Sequence, residues 1–348
     1  MGSSNGGHNT PRRTTWLPVA IAFAAAGNVT CTRPPDASAR LVDVRLAVGG
    51  QTQLVYLPTT LARELGFFRD EGLNVDIEDL AGGAKALEAL VGGSTDVVSG
   101  FYDHTIQMAA EGREMIAFVT MLRYPGLILV TSPQGGAAIK TIADLRGRVV
   151  GVTAAGSSSQ IMLTYLLKRH GLRQDDVSLT SIGTAATAVA ALERGKVDSG
   201  MMADPAFTMM VRRNPTARVL ADLRSAQGVK DAFGTEAYPA SVLYAKGDWV
   251  RSHRDTVHHL AHAILLTLQW MQTHSAQEIA DRVPANFRGE NQLLYVDALR
   301  DSMAIFSPDG LMLPEGADAV RQLLTQSMEK VAHASIDISK TYTNEFVR

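Results

Sequence analysis

The stretch Ala89-Leu90-Val91-Gly92-Gly93-Ser94-Thr95-Asp96 has a counterpart later in the chain, Ala191-Leu192-Glu193-Arg194-Gly195-Lys196-Val197-Asp198. The shared frame is Ala-Leu-x-x-Gly-x-x-Asp. Each copy ends an Ala/Leu-rich run of good helix formers, turns at a glycine and enters a short apolar segment. A repeated helix-turn-strand unit predicts two similar α/β halves.

Around the first copy, Val42–Val48 alternates toward an apolar end and reads as a strand. A loop over residues 49–53 follows, then a helix over 57–68 and a strand over 72–78. The Gly82-Gly83 break precedes a helix over 84–90, and a third strand from Asp96 runs into Gly100-Phe101-Tyr102-Asp103-His104. Around the second copy, residues 149–152 form a strand. The loop Gly156-Ser157-Ser158-Ser159 then opens a helix over 160–170 that Gly171 ends. Strand and helix alternating in this way predict a largely parallel sheet with helices on its faces. The apolar run 127–130 and the Ser132-Pro133-Gln134-Gly135-Gly136 cluster read as a crossing between lobes. Residues 240–245 mirror that run and read as the return. This places a first lobe at 40–133 plus 240–348 and a second at 134–239. Val257, Leu260, Ala261, Ile264, Leu268 and Met271 share one face of a helix over 255–271. Further helices are expected over 292–306 and 314–332, and the polar tail after Ser335 reads as loosely ordered.

The chain has 348 residues, 46% of them apolar, a net charge of −2 and one cysteine, Cys31. That length exceeds a single core. No basic patch suggests nucleic acid, and one cysteine excludes an internal disulfide framework and a cysteine-based zinc site. Arg12-Arg13 precede the apolar run 16–26, which is shorter than the roughly 20 residues of a membrane span and suits a signal segment. Cleavage after Ala37-Ser38-Ala39 and lipidation at Cys31 are both open, so residues 1–39 read as an export signal. A lipid anchor at Cys31 is the one membrane contact the sequence offers.

The glycine-serine loop carries the chemistry. Serine caps helix starts, and unpaired N–H groups with the helix dipole attract anions there. Neither a Walker loop, a dinucleotide fingerprint nor a Gly-x-Ser-x-Gly elbow is present. Arg123 could grip an oxyanion, or form a surface ion pair. Tyr102-Asp103 and Asp204-Pro205 follow the two repeat strands, beyond the carboxyl ends where ligands bind in open α/β sheets. The two aspartates could bind ligand amines, order loops or cap helices. His258 and His262 have metal-compatible spacing but no third ligand nearby, so they read as a solvated face. No metal or cofactor is expected.

Leu57-Pro58 with Ala62-Arg63-Glu64-Leu65-Gly66-Phe67-Phe68-Arg69-Asp70-Glu71-Gly72-Leu73-Asn74-Val75 resembles the N-terminal signature of the nitrate/sulfonate/taurine-type solute-binding proteins of ABC importers. The run 144–152 with Gly156-Ser157-Ser158 is similar to that family's entry into its second lobe. The Ala191-Leu192, Gly195, Val197-Asp198 frame and Asp204-Pro205 match as well, and the likeness spans roughly residues 43–330. The resemblance implies a type II periplasmic-binding fold: two α/β lobes, two crossover strands and a solute between them. It implies a permease and an ATPase as partners and an extracytoplasmic location. It places the ligand positions, by motif, at Gln51, Thr52, Gln53, Gly82, Gly83, Tyr102, Asp103, Ser157, Ser158, Ser159 and Asp204; Arg123 is added on chemistry alone. The expected function is capture of a small anionic organic solute, such as a sulfonate, taurine or nitrate, without catalysis. The alternatives are a pyrimidine-precursor-binding protein or an enzyme on the same fold. The pyrimidine synthase of thiamine biosynthesis looks similar over the first lobe. Its family carries a cysteine-rich motif, from which a chain with Cys31 alone departs.

Overall fold

The computed structural model describes residues 40–289 and 291–348. The expected signal segment, Cys31 and Ala39 lie outside them. Two five-stranded mixed sheets organise these residues.

The first sheet takes β1 (Val42–Val48), β2 (Leu73–Asp79), β3 (Val97–Phe101), β4 (Met115–Thr120) and, from far along the chain, β10 (Ser241–Lys246). The second takes β5 (Leu127–Thr131), β6 (Val149–Val152), β7 (Ser178–Ser181), β8 (Ser199–Ala203) and β9 (Val219–Asp222). Their orders are β2-β1-β3-β10-β4 and β7-β6-β8-β5-β9. The pattern is the same in both: three parallel strands, one antiparallel strand beside the third, then an outer strand. β10 and β5 occupy equivalent places, as their mirrored sequences predict.

The Ala-Leu-x-x-Gly-x-x-Asp frame builds the same joint twice. Helix α1 (Leu57–Glu64), α2 (Phe67–Asp70) and α3 (Gly83–Gly92) belong to the first half, and α3 ends at Gly93, φ 82°. There Ser94 N donates to Ala89 O and Gly93 N to Leu90 O, a Schellman closure that glycine makes without a Cβ clash. Helix α4 (Asp103–Ala110) also belongs to the first half, between β3 and β4, and in the second half α5 (Ser158–Arg169) precedes α6 (Ala185–Glu193). At the end of α6, Lys196 N donates to Ala191 O and Gly195 N to Leu192 O, with Gly195 at φ 64°. The aspartate of each frame then ties its strand to the sheet. Arg45 N donates to Asp96 Oδ2 at 3.0 Å, and Val149 N to Asp198 Oδ2 at 2.8 Å.

Three expectations change. The crossing does not fall at residues 132–136, because β5 pairs antiparallel with β8 and β9 in the second sheet. The chain therefore changes halves over residues 121–126, where Gly126 sits at φ 67°, and the Pro/Gly cluster is a turn held by Gly135 N donating to Ser132 Oγ. The helix over 57–68 breaks at Gly66, φ 84°, into α1 and α2. The tail after Ser335 is packed: Ala117 N donates to Thr341 O and Thr343 N to Ala117 O, along the outer side of β4. Thr341 and Phe346 are buried there. A free strand edge is a pairing hazard, and this tail covers it.

The second half closes with α7 (Ala206–Arg213) and α8 (Ala226–Phe233). The first resumes with α9 (Gly247–Ser252), α10 (Arg254–Thr273), α11 (Ala276–Arg282), α12 (Ala285–Arg288), α13 (Gln292–Ser302), α14 (Pro314–Ser327) and α15 (Glu329–His333). The apolar face predicted for α10 is buried: Val257, Leu260, Ala261, Ile264, Leu268 and Met271 are each at most 1% exposed. α13 packs on α7, and α14 lies against both α5 and α4, so the last helices touch both halves.

Candidate functional site

The turns that leave β1, β3, β6 and β8 meet between the two sheets. Ser157 stands in extended conformation as N-cap of α5, but its hydroxyl serves another helix. It accepts from Ala84 N at 3.1 Å, in the first turn of α3 across the cleft. Next to it, Ser158 Oγ donates to Asp103 Oδ1 at 2.7 Å, also across the cleft. Ser159 stays within its own half, accepting from Thr153 N at 3.0 Å. A further link runs from Leu54 N to Asp204 O at 2.8 Å. The approach is close: a Cβ added to Gly82, φ 132°, would lie 3.0 Å from Ala154 Cβ. Between the halves lies a cavity of about 20 Å³, lined by Gly49, Gln53, Val55, Tyr56, Gly83, Phe101, Leu127, Thr153, Ser157, Ser158 and Ser159. That volume suits roughly one water.

Of the predicted positions, Gln53, Gly83, Ser157, Ser158 and Ser159 come together on this cavity. Gly82 and Asp103 flank it through their contacts with Ser157 and Ser158. Gln51 is buried beside it, with its backbone N–H donating to Asp79 Oδ1 and its amide to Thr60 Oγ1. Thr52 lines a different cavity, of about 300 Å³, with Pro205, Met209 and Phe287. Tyr102 faces away: its hydroxyl meets Thr341 Oγ1 at 2.6 Å and its ring packs edge-on to Tyr342. Arg123 is exposed on the crossing, donating from Nε to Ala304 O and lying over the Tyr124 ring. Asp204 is spent on structure. Oδ1 accepts from Thr208 N and Oγ1, capping α7, while Oδ2 accepts from Arg224 Nη1 and Ser302 Oγ. Tyr102→Phe should therefore cost about 1 kcal/mol of stability and leave solute affinity unchanged in a titration.

Sequence reading missed Tyr56, Phe101, Thr153 and His104. Strand alternation held the usable signal for Phe101: successive residues of β3 point to opposite faces, so only one of Phe101 and Tyr102 could face the cavity.

The electrostatics are dominated by burial. Asp103 is 1% exposed, and desolvation pushes its carboxyl above the usual range, opposed by neighbouring His104 and by the Ser158 hydrogen bond. His104 is fully buried, and desolvation pulls its imidazole down, opposed by Asp103. Its Nδ1 lies 3.3 Å from the Tyr244 hydroxyl. Burial likewise raises the Tyr56 phenol, with Asp103 and Asp79 adding to it. Among the described residues no Lys or Arg lines the cavity and no His/Cys/Asp/Glu cluster could hold a metal ion. His262 accordingly pairs with Glu71 at 2.8 Å on an exposed face.

Two facing α/β halves with a serine-rich helix start between them match the NMT1/THI5-like family profile over residues 53–278. The chain belongs to that family. A solved structure from Bordetella bronchiseptica RB50 shares 38% identity with this NMT1/THI5-like chain. The alignment covers 89% of this chain and 96% of that one, with a TM-score of 0.84. The alkanesulfonate-binding protein SsuA from Xanthomonas axonopodis pv. citri, solved with MOPS, superposes with a TM-score of 0.69 over 87% of this chain and 98% of its own, at 15% identity. YtlA of Bacillus subtilis (strain 168), named only as a binding protein, is 22% identical over 80% of this chain and 82% of its length. The THI13 pyrimidine phosphate synthase of Saccharomyces cerevisiae matches over only 42% of each chain, at 22% identity. The fold is that of the periplasmic binding proteins, as the sequence led one to expect. No described helix is long and apolar enough to cross a membrane.

Proposed function

We propose that this chain is the solute-capturing component of an ABC importer, holding a small solute between its halves and presenting it to a permease driven by an ATPase. The observation that carries the reading is the start of α5 in the interlobe cleft, where Ser157 and Ser158 reach across to Ala84 and Asp103. Contacts that join both halves only when these are close make closure responsive to whatever occupies the gap. Binding-protein relatives support this reading, as does the SsuA fold, and the periplasmic neighbours favour an extracytoplasmic location, with export by residues 1–39 resting on the sequence alone. The short partial match to the yeast synthases gives the enzyme and pyrimidine alternatives little support. An anionic solute, the sequence expectation, has the serine hydroxyls and the α5 helix start in its favour and the buried Asp103 against it.

The test is a thermal-shift and calorimetric screen of small polar solutes on protein stripped of ligand by unfolding and refolding. A binder raises the unfolding midpoint through mass action. Ser157→Ala and Ser158→Ala should each weaken that binder at least tenfold, or about 1.4 kcal/mol. Unchanged affinity in both removes the cleft from the function.

A further inference from the structure

We propose that the solute is recognised as a hydrogen-bond donor or cation, through the Asp103 carboxylate, rather than as an anion. This inference rests on the cleft being the solute site.

The molecule contains its own control. Asp103 lies two residues beyond β3 and Asp204 one residue beyond β8, at neighbouring rather than identical places, and both are 1% exposed. Every oxygen of the Asp204 carboxylate is used: Thr208 on one, Arg224 and Ser302 on the other. Asp103 has Ser158 on Oδ1, and its buried Oδ2 meets no donor. A buried carboxylate is costly unless paired and hydrogen-bonded, so the second half meets the requirement with Arg224 while the first leaves half of it open. Beside Asp103, His104 is buried as well, with the Tyr244 hydroxyl at its Nδ1 and the Gly156 backbone as its other neighbour. An unfilled carboxylate oxygen, on a residue bonded to the cleft wall through Ser158, marks a place for a group from outside the chain.

The surroundings decide the sign of that group. The cavity lining holds no Lys or Arg among the described residues. The half-buried guanidinium of Arg224 is engaged by Asp204 and Asp222. Burial opposes the charge on Asp103, and where the carboxylate is ionised an anion would meet it with only serine hydroxyls and the first amides of α5 to offset the repulsion. A donor group such as an ammonium, amidinium or ring N–H completes the Asp103 shell and stands against the tyrosine and phenylalanine rings of Tyr56 and Phe101, which pack at 6.2 Å. Aromatic faces attract cations as well.

The experiment titrates refolded full-length protein by calorimetry with three cations, acetamidinium, benzamidinium and imidazolium, and three anions, nitrate, methanesulfonate and benzoate. Binding of a cation but of no anion is expected, with Asp103→Asn weakening the cation at least thirtyfold while keeping an oxygen for Ser158. Asp103→Glu, which keeps the charge, should retain the preference for cations. Binding of an anion with equal or higher affinity in Asp103→Asn overturns the inference and leaves the cleft standing, provided Ser157→Ala and Ser158→Ala weaken it. A binder indifferent to both serine variants overturns the cleft itself. If Asp103→Asn fails to fold, the wild-type preference between the two probe sets decides, and binding by none of the cations counts against the inference.

Discussion

Arg224→Ala is expected to lower the free energy of unfolding by about 3–5 kcal/mol, read from urea denaturation. Arg224 donates from Nη1 to Asp204 Oδ2 at 2.9 Å, grips the Asp222 carboxylate through Nε and Nη2, and lies 5.0 Å over the Phe207 ring. Asp204 is 1% exposed. Truncating its one ionic partner among the described residues leaves a carboxylate with Thr208 and Ser302 but no countercharge, the situation in which removing one member of a buried pair costs most. Arg224→Lys should lose less but still appreciably, since an ammonium cannot serve two carboxylates through one planar fork. Adding Asp204→Asn to Arg224→Ala should recover part of the loss, because the stranded charge goes with it. A single-variant cost below 1 kcal/mol would show that solvent reaches the pair.

Gly49→Ala is expected to be nearly as damaging, for a different reason. The backbone at Gly49 is ordinary, so the constraint is space. An added Cβ would fall 2.3 Å from Gly83 N and 2.4 Å from Gly82 C, and these are main-chain atoms that no rotamer change can move aside. The start of α3 would have to withdraw, taking Ala84 N away from Ser157 Oγ. Overpacking of this kind costs about 1–3 kcal/mol or more, and solute affinity should fall at least tenfold with it. Crystallography or exchange protection at Ala84 would detect the shift. Unaltered protection and affinity together would contradict the close approach.

Much of the fold was legible because one physical device was written twice. The frame ending in Asp96 and Asp198 needs glycine for the helix stop and an aspartate to bind the neighbouring strand's N–H, and both requirements show as fixed spacing. The strands it did not reveal, β7 and β9, lie at the outer edges of their sheet, and their residues are mostly exposed or half-buried. A polar edge strand lacks the apolar signature by which strands are read. The crossing was misplaced because an apolar run such as β5 declares burial, not which sheet receives it. At the cavity, Ser157, Ser158 and Ser159 were legible because a glycine-serine run before a helix is a local signal. That Arg123 and Tyr102 stand away from this cavity was not legible, because their partners, Ala304 and Thr341, lie far off in sequence. The same distance hid the contrast between Asp103 and Asp204, which depends on whether an arginine arrives from elsewhere in the chain.

The placement of β10 has a consequence for how the polypeptide matures. The five strands of the second sheet are contiguous, running from Leu127 to Asp222, whereas β4 joins the first sheet only through β10. Whether it emerges from a ribosome or an export pore, an N-terminus-first chain has β1 to β4 in hand and must wait for Ser241 before that sheet can be completed. The later half can thus mature first, as an autonomous unit, while the earlier half stays open until the chain doubles back. Long-range pairing of this sort slows folding, so the first sheet is the later of the two to close.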